Sequence, residues 1–354
     1  MRGLASLNSV RNSEIAELLA RAAEHAKQPL LRALRRAARR SFLWPEEAED
    51  MLARGQSLTE LAGIGPYLNK QIIDWLRHPP ELEEAIPEIR QNFLTLAEAT
   101  TLRSKYPARF REVRGDLQMH TLWSDGSGSI QDMAEAARAR GYSYIAITDH
   151  SKGLKIAGGI DEDQLAKQGE EIAAINESMR RNAGGFRVLR AVELNLSPTG
   201  AGDMDRAALD QLDLVLGCFH SALRRKEDQT ERYLAALHNP SIHILGHPRG
   251  RIYNFRLGLS ADWARVFALA AELDKAVEID CYPDRQDLSI DLLAIAKKEG
   301  CLISIGTDSH GPSQLDFIEL GVAAALRAKL DPKRILNYMP TDRLLEWATS
   351  VRER

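Results

Sequence analysis

The sequence predicts an α/β chain in which a parallel-stranded unit of barrel size follows a small all-helical segment. Seven short runs rich in Val, Ile and Leu recur after residue 113, most of them separated by helix-length segments. Residues 11–105 read as helix after helix with no strand-like run. The stretch from 113 onward, roughly 240 residues, matches the natural size of a (β/α) barrel.

The chain has 354 residues, 44% hydrophobic and 27% charged, with a formal net charge of −3. That balance is ordinary for a soluble globular protein. It contains no run of about 18 apolar residues, which argues against a transmembrane helix. MRGLASLNSVRNSEIAELL at the N-terminus lacks the apolar core and cleavage site of a secretory leader. Cys218, Cys281 and Cys301 are odd in number and widely spaced. They are expected to be free thiols in a reducing compartment, hence a cytoplasmic protein with no membrane partner.

In chain order, the helical segments are NSEIAELLARAAEHA, PLLRALRRAARRSF and EEAEDMLARG, then a turn at GIGP. Asn12 or Ser13 followed by Glu14 suits a helix start, and Gly55 and Gly63 suit helix ends. PPELEEAIPEIRQNF and the stretch to Pro107 read as further helix and linker. The expected division is a helical domain over 1–108 and a barrel over 109–354.

Two features of the helical part suit a phosphate backbone. SLTELAGIGPYLNKQIIDWL (57–76) has the form of a helix-hairpin-helix. Leu58 and Leu61 would pack one helix, Gly63-Ile64-Gly65 would form the turn, and Ile72, Ile73 and Leu76 would anchor the other. Glycines allow close approach to a phosphate, amides at a helix start donate to it, and Lys70 adds charge. KQPLLRALRRAARR (27–40) places Arg32, Arg35, Arg36, Arg39 and Arg40 on one broad helical face with no acid among them. The plainer alternatives are an αα-hairpin and a solvated helix face. Basic and acidic residues nearly balance over 1–112, so any nucleic-acid contact, DNA foremost, would be local and salt-sensitive.

The strand-like runs are VRGDLQMH (113–120), YIAITDH (144–150), RVLRAVELNL (187–196), LVLGCFH (214–220), IHILGHP (242–248), AVEID (276–280) and LISIGTD (302–308). IQDMAEAARARG, EDQLAKQGEEIAAINESM, DWARVFALAAELD and SIDLLAIAKKEG supply helices between them. This alternation means a parallel sheet, barrel-like or doubly wound.

Of nine histidines, five (His120, His150, His220, His247 and His310) fall at or near the C-terminal end of such a run. Glu193 and Asp308 occupy comparable strand-end positions, and Asp125 follows the first run. In a parallel barrel these ends converge on one face. A single histidine there is usually a hydrogen-bonded structural residue. Five, with three carboxylates, need another reason, because unpaired burial of ionisable groups is costly. A metal cluster supplies it, since imidazole and carboxylate suit zinc, manganese and iron. His25, His78, His238 and His243 are given no function.

QMHTLWSDG, TDH, AVELN, the histidine of CFHS, GHP and TDSH resemble, in order and spacing, the successive motifs of PHP (polymerase and histidinol phosphatase) domains. The resemblance covers residues 113 to about 349. It is strongest to the C-terminal PHP domain of bacterial family X DNA polymerases, whose segments resemble ITDHSKGLKIAGGIDEDQL and EIDCYPDRQDL. The resemblance implies a distorted seven-stranded (β/α) barrel with two or three divalent ions, manganese or zinc, with iron a third option. It also implies phosphoester hydrolysis by a metal-bridging hydroxide. One ion would take His120, Glu193 and Asp308, and a second the bridging Glu193 with His220 and His247. The third would take Asp125, His150 and His310. Glu193 and His310 are the expected catalytic positions.

Gln118 stands where the usual first motif has histidine. A neutral amide oxygen is a weaker ligand, so the first site is expected to be weakened, exchangeable, or filled by manganese in preference to zinc. Lys152, Arg249, Arg251 and Arg285 follow strands on the same face and are candidate phosphate donors, Arg251 and Arg285 foremost.

The first hundred residues resemble the small N-terminal domain of family X polymerases. No polymerase palm fits between 77 and 112, and Tyr67 and Gln71 stand where lyase-active relatives carry lysines. The expected function is hydrolysis at nucleic-acid ends, a 3′–5′ exonuclease or 3′-end-processing activity of DNA-repair type. The alternatives are a phosphatase or phosphodiesterase on a small phosphorylated metabolite or nucleotide, and a non-catalytic DNA-binding repair scaffold.

Overall fold

Amphipathic periodicity in the first eighty residues becomes, among the described residues, four α-helices: α1 (Asn12–Glu24), α2 (Leu30–Arg40), α3 (Ala48–Ala53) and α4 (Pro66–Arg77). The computed structural model describes residues 10–80, 85–183 and 185–353; residues 1–9, part of the stretch without a leader pattern, lie outside them. Ile15, Leu19, Leu34, Phe42, Trp44, Leu58 and Ile72 join in one buried cluster. Gly63 turns at φ 91°, where a Cβ would lie 2.9 Å from the Arg40 side chain. Pro66 opens α4 at its first position, where a missing N–H costs nothing.

The helix-hairpin-helix keeps its glycine turn and second helix, but its first limb is a 3-10 turn, Leu58–Glu60, capped by Ser57. The span between Gly55 and Gly63, both at positive φ, is too short for a full helix. Helix α5 (Leu96–Lys105) and helix α6 (Pro107–Arg111) follow. The change of core comes before 108: Phe93 belongs with the helical cluster, whereas Leu94 and Ala99 are buried in the barrel's.

The barrel then alternates strand and helix as β1 (Gly115–Asp116), α7 (Ile130–Ala139), β2 (Tyr144–Ile147), α8 (Glu162–Ala183) and β3 (Arg187–Asn195). The chain continues through α9 (Arg206–Leu209), β4 (Leu214–Cys218), α10 (Thr230–Leu237), β5 (Ile244–Leu245), α11 (Trp263–Glu272) and β6 (Ala276–Asp280). It ends with α12 (Ile290–Lys298), β7 (Leu302–Gly306), α13 (Ile318–Arg327) and α14 (Thr341–Arg352). All neighbouring strands pair in parallel, in the order β1 to β7. Sequential order excludes the doubly wound alternative, and the sheet closes on itself beyond the ends of β7 and β1. There the Asp308 amide donates to the Gln118 carbonyl (3.1 Å) and the His120 amide to that of Ser309 (2.8 Å).

Period-two alternation sorts the strands' side chains. Val192, Leu194, Val215, Val277 and Ile303 pack outward with the helices. Leu189 and Ala191, Leu214 and Leu216, Ile244 and Ala276 share a second cluster with Leu344, Trp347, Ala348 and Val351 of α14. Helix α14 therefore plugs the N-terminal end of the barrel, and the alternation that carries Leu189 and Ala191 continues to Glu193 at the opposite mouth.

His243 lies beside that plug. It is fully buried, accepts from the Val215 amide (3.1 Å) and meets Trp347 edge-on at 6.3 Å. Burial pushes the imidazole down to about 3, with Arg352 and Lys275 adding to the effect. The native state therefore binds fewer protons here than the unfolded chain, and stability falls as pH drops from about 6.5 toward 3, by up to ~1.4 kcal/mol per pH unit. His243→Asn keeps an acceptor for Val215 and is expected to flatten that slope. Melting temperatures of both proteins from pH 7.5 to 4.5 measure it, and parallel curves would refute the assignment.

Candidate metal centre

Parallel strands bring their C-terminal ends to one mouth, and the strand-end imidazoles and carboxylates meet there. Glu193, fully buried at the end of β3, is the hub. His220 Nε2 and His247 Nε2 each lie 2.8 Å from its Oε1, while His120 Nε2 and His150 Nδ1 lie 3.2 and 3.5 Å from its Oε2. His120 Nε2 is also 3.0 Å from Asp308 Oδ1. Asp125 Oδ1 sits 3.4 Å from His310 Nε2 and 3.6 Å from His150 Nε2. The cluster thus runs from a buried floor (His120, Glu193, Asp308) to a half-exposed rim (Asp125, His220, His310).

Backbone strain marks the same place. Asp308 has φ 51° and His247 φ 21°, conformations costing on the order of 1–3 kcal/mol for such residues. Two supporting contacts set tautomers. Asn195 Oδ1 lies 3.1 Å from His220 Nδ1, and the Asp308 carbonyl 2.8 Å from His310 Nδ1. In each case Nδ1–H donates and Nε2 is the ring nitrogen turned to the cluster, the arrangement that ligating histidines require.

The donor set fits divalent cations. Among buried polar side-chain atoms, His120 Nδ1, His150 Nδ1, Gln118 Oε1, Glu278 Oε1 and Asp280 Oδ2 have no hydrogen-bond partner. Four groups of converging donors are present: His120–His150–His310, His150–Glu193–His220, Glu193–Cys218–His247 and His120–Glu193–Asp308. The last coincides with an expected set. Burial pushes the Glu193 carboxyl up, but His150, His247 and the hydrogen-bonded His120 and His220 together hold it well below its usual range. Burial pushes His247 down, and Glu193 overcomes this to raise it to about 10. His150, dominated by burial, falls to about 4. Positive charge is what this carboxylate demands, and a divalent cation answers the demand without protonating the imidazoles.

Glu278 and Asp280 of β6 escaped the sequence reading. Both are fully buried; Glu278 Oε2 accepts from the His247 amide (2.7 Å), and Asp280 Oδ1 from that of Tyr282 (2.7 Å). Burial, and then neighbouring carboxylates, push both pKa values up. The period-two spacing in AVEID was the available signal. Cys218, read only as a free thiol, also converges on Glu193 and His247, although all three cysteines are free and buried.

The four candidate phosphate donors separate. Arg285 pairs with Asp308 and lies 3.9 Å from Asp280 at the mouth. Arg251 is engaged elsewhere: it is buried, donates to the carbonyls of Arg285 (2.9 Å) and Asn92 (2.9 Å), and stacks 3.8 Å over the Phe93 ring. Arg249 donates to the Leu259 carbonyl (3.2 Å), and Lys152 is paired with Glu162 (2.7 Å).

Gln118 is fully buried, with Nε2 3.1 Å from Glu193 Oε2. It therefore reaches the hub carboxylate as a histidine would, but with a neutral amide. Gln118→His is expected to slow cation loss to a chelator by roughly tenfold or more, the scale on which even outer-shell partners act. Metal content after timed dialysis measures it, and unchanged retention would place position 118 outside the coordination.

A closed parallel barrel with an imidazole–carboxylate cluster in its C-terminal mouth defines a metal-dependent hydrolase domain. The family model for the PHP domain matches residues 116–307, and the chain belongs to that family of metal-dependent phosphoesterases. It is 35% identical over 260 residues to the "DNA polymerase/3'-5' exonuclease PolX" of Bacillus subtilis (strain 168), covering 73% of this chain and 43% of that protein. The chain thus spans less than half the length of that relative. It is 26% identical over 243 residues to the "Probable phosphatase YcdX" of Escherichia coli (strain K12), covering 66% of this chain and 94% of that protein. The Shigella dysenteriae serotype 1 (strain Sd197) protein of the same name matches to the same extent. Among the described residues no helix is long and apolar enough to cross a membrane.

Proposed function

We propose that the chain hydrolyses phosphodiester bonds at the ends of nucleic-acid strands, DNA foremost, working from the 3′ end. One observation carries the reading. A cleft of about 700 Å³ joins Arg35 and Arg39 of α2 to Arg285 and His310 at the rim of the cluster. The helical module therefore presents two of its expected backbone-binding arginines beside the hydrolytic mouth, and Arg39 itself lies 3.9 Å from Asp284 of the β6 loop. Arg32, Arg36 and Lys70, with the Gly63-Ile64-Gly65 turn, do not line that cleft. The exonuclease named in the Bacillus relative supports the reading.

His120, Glu193 and Asp308 would hold one cation, Glu193, His220 and His247 a second, and Asp125, His150 and His310 a third. Divalent cations held there, manganese or zinc, would supply hydroxide near neutral pH and offset the negative charge that builds on the phosphoryl oxygens. The chain's own residues prepare the place. Asn195 fixes His220 and the Asp308 carbonyl fixes His310, while Arg285 sets a guanidinium at the mouth for a non-bridging oxygen. Asp125 and His310, on the rim, are within reach of an incoming strand end.

The test is a 5′-labelled single-stranded DNA oligomer incubated with manganese and either wild type or His310→Ala. A ladder of shortened products from wild type alone is expected. Phosphate released from small monoesters without shortening would favour the metabolite reading, which draws on the phosphatase relatives. Oligomer binding without turnover would favour the scaffold.

A further inference from the structure

Between β5 and α11 a loop holds a single exposed aromatic ring between residues that are themselves fixed. Arg251 is clamped as described above. Tyr253 is buried between Phe42 (4.8 Å) and Phe93 (5.2 Å), with its hydroxyl donating to the Ala16 carbonyl (3.3 Å). Asn254, at φ 51°, accepts from Arg90 (3.2 Å), and Arg256 folds back to donate to the Gly250 carbonyl. Phe255, in their midst, is 58% exposed. A slack loop would let that ring fold down. This one holds it at the surface, on the wall of the cleft that joins Arg35 and Arg39 to His310.

The surroundings identify the ligand's chemistry. The Arg224 guanidinium lies 4.6 Å from the centroid of the Phe255 ring. Both residues line the cleft that runs from Arg35 and Arg39 to His310, and Asp284 is the one carboxylate among its described lining residues. Among the described residues no carboxylate lies within 4.0 Å of Arg35 or Arg224. A flat ring beside guanidinium groups suits a planar base next to a phosphate.

Building on the nuclease reading above, we infer that this cleft is a single-strand subsite. It stacks an unpaired base on Phe255 and pairs the adjoining phosphates with Arg35, Arg39 and Arg224, while the strand's end lies at the metal centre. A base inside a duplex cannot offer its face, so the subsite selects unpaired ends and overhangs over blunt ends.

The experiment is fluorescence anisotropy of a labelled octathymidylate, phosphorothioate-linked to resist cleavage, on the full chain with manganese. Phe255→Ala is expected to weaken binding about tenfold. Arg35→Glu with Arg39→Glu should weaken it further and lower its salt dependence. Lys297→Glu with Lys298→Glu, on the exposed end of α12, is the charge-matched control and should stay within about twofold. An abasic residue scanned through the last four positions should weaken wild type at one position and add nothing there in Phe255→Ala. Phe255→Ala binding as wild type does, or effects that multiply at every position, would overturn the subsite and leave the nuclease reading standing. Equal affinity for the blunt duplex, or for thymidine monophosphate, would overturn it too. Absence of any oligomer binding by wild type would overturn both.

Discussion

Glu193→Gln is expected to lower hydrolysis by at least on the order of 10³-fold and to strip the protein of tightly held divalent cation. The side chain keeps its size and its place at the end of β3, so the barrel should survive the change. What is lost is the one negative charge approached by four imidazoles, two of them at 2.8 Å. An amide cannot replace it, because it carries no charge and its oxygen is a weak neutral ligand. Glu278→Gln makes the contrast. Glu278 accepts the His247 amide, and among the described residues no imidazole nitrogen lies within 4.0 Å of its carboxylate, so the change should cost about 10–100-fold, the scale of an outer partner. Metal analysis, single-turnover rates and melting curves on the two variants separate these effects. A Glu193→Gln protein that keeps both its cation and its rate would place the chemistry elsewhere.

The hub was legible because a parallel barrel turns remote strand ends into neighbours. His120 and Asp308 are 188 positions apart and 3.0 Å apart in space, and strand order alone brings them together. Glu278 and Asp280 obey the same rule, but β6 carries no histidine, and two carboxylates alone do not distinguish a metal-facing strand end from an ordinary polar one. Arg251 was legible only as a loop arginine on the active face. Its task is set by Phe93 and the Asn92 carbonyl, which lie far back in the chain on a segment with no strong pattern of its own. The shift of core between Phe93 and Leu94 is equally silent in sequence, since both are apolar residues in one linker. The same holds for α2: helical periodicity displays five arginines, but only docking decides that Arg35 and Arg39 meet the cleft.

That docking rests on a buried ion pair, and its loss should produce the largest change in stability. Arg90 is 5% exposed and Glu17 3%. Arg90 Nε and Nη2 bind the two Glu17 oxygens at 2.8 and 3.0 Å, and Nη1 reaches Glu24 (2.7 Å) and Asn254 (3.2 Å). The guanidinium thus ties α1 to the loop that carries Phe255. Arg90→Ala removes it and leaves Glu17 buried with Arg21 alone, 2.7 Å away and partly solvated. Leaving a buried carboxylate without any partner costs about 3–5 kcal/mol, an upper bound here because Arg21 stays in place. Because the penalty comes from the stranded charge and not from a strong net attraction, removing both charges should cost less than removing one. Glu17→Gln with Arg90→Met is therefore expected to be more stable than Arg90→Ala, despite two changes. Denaturant midpoints of the two proteins decide it: a double variant as weak as the single one would mean that the pair's own attraction, not desolvation, holds the helical module against the barrel.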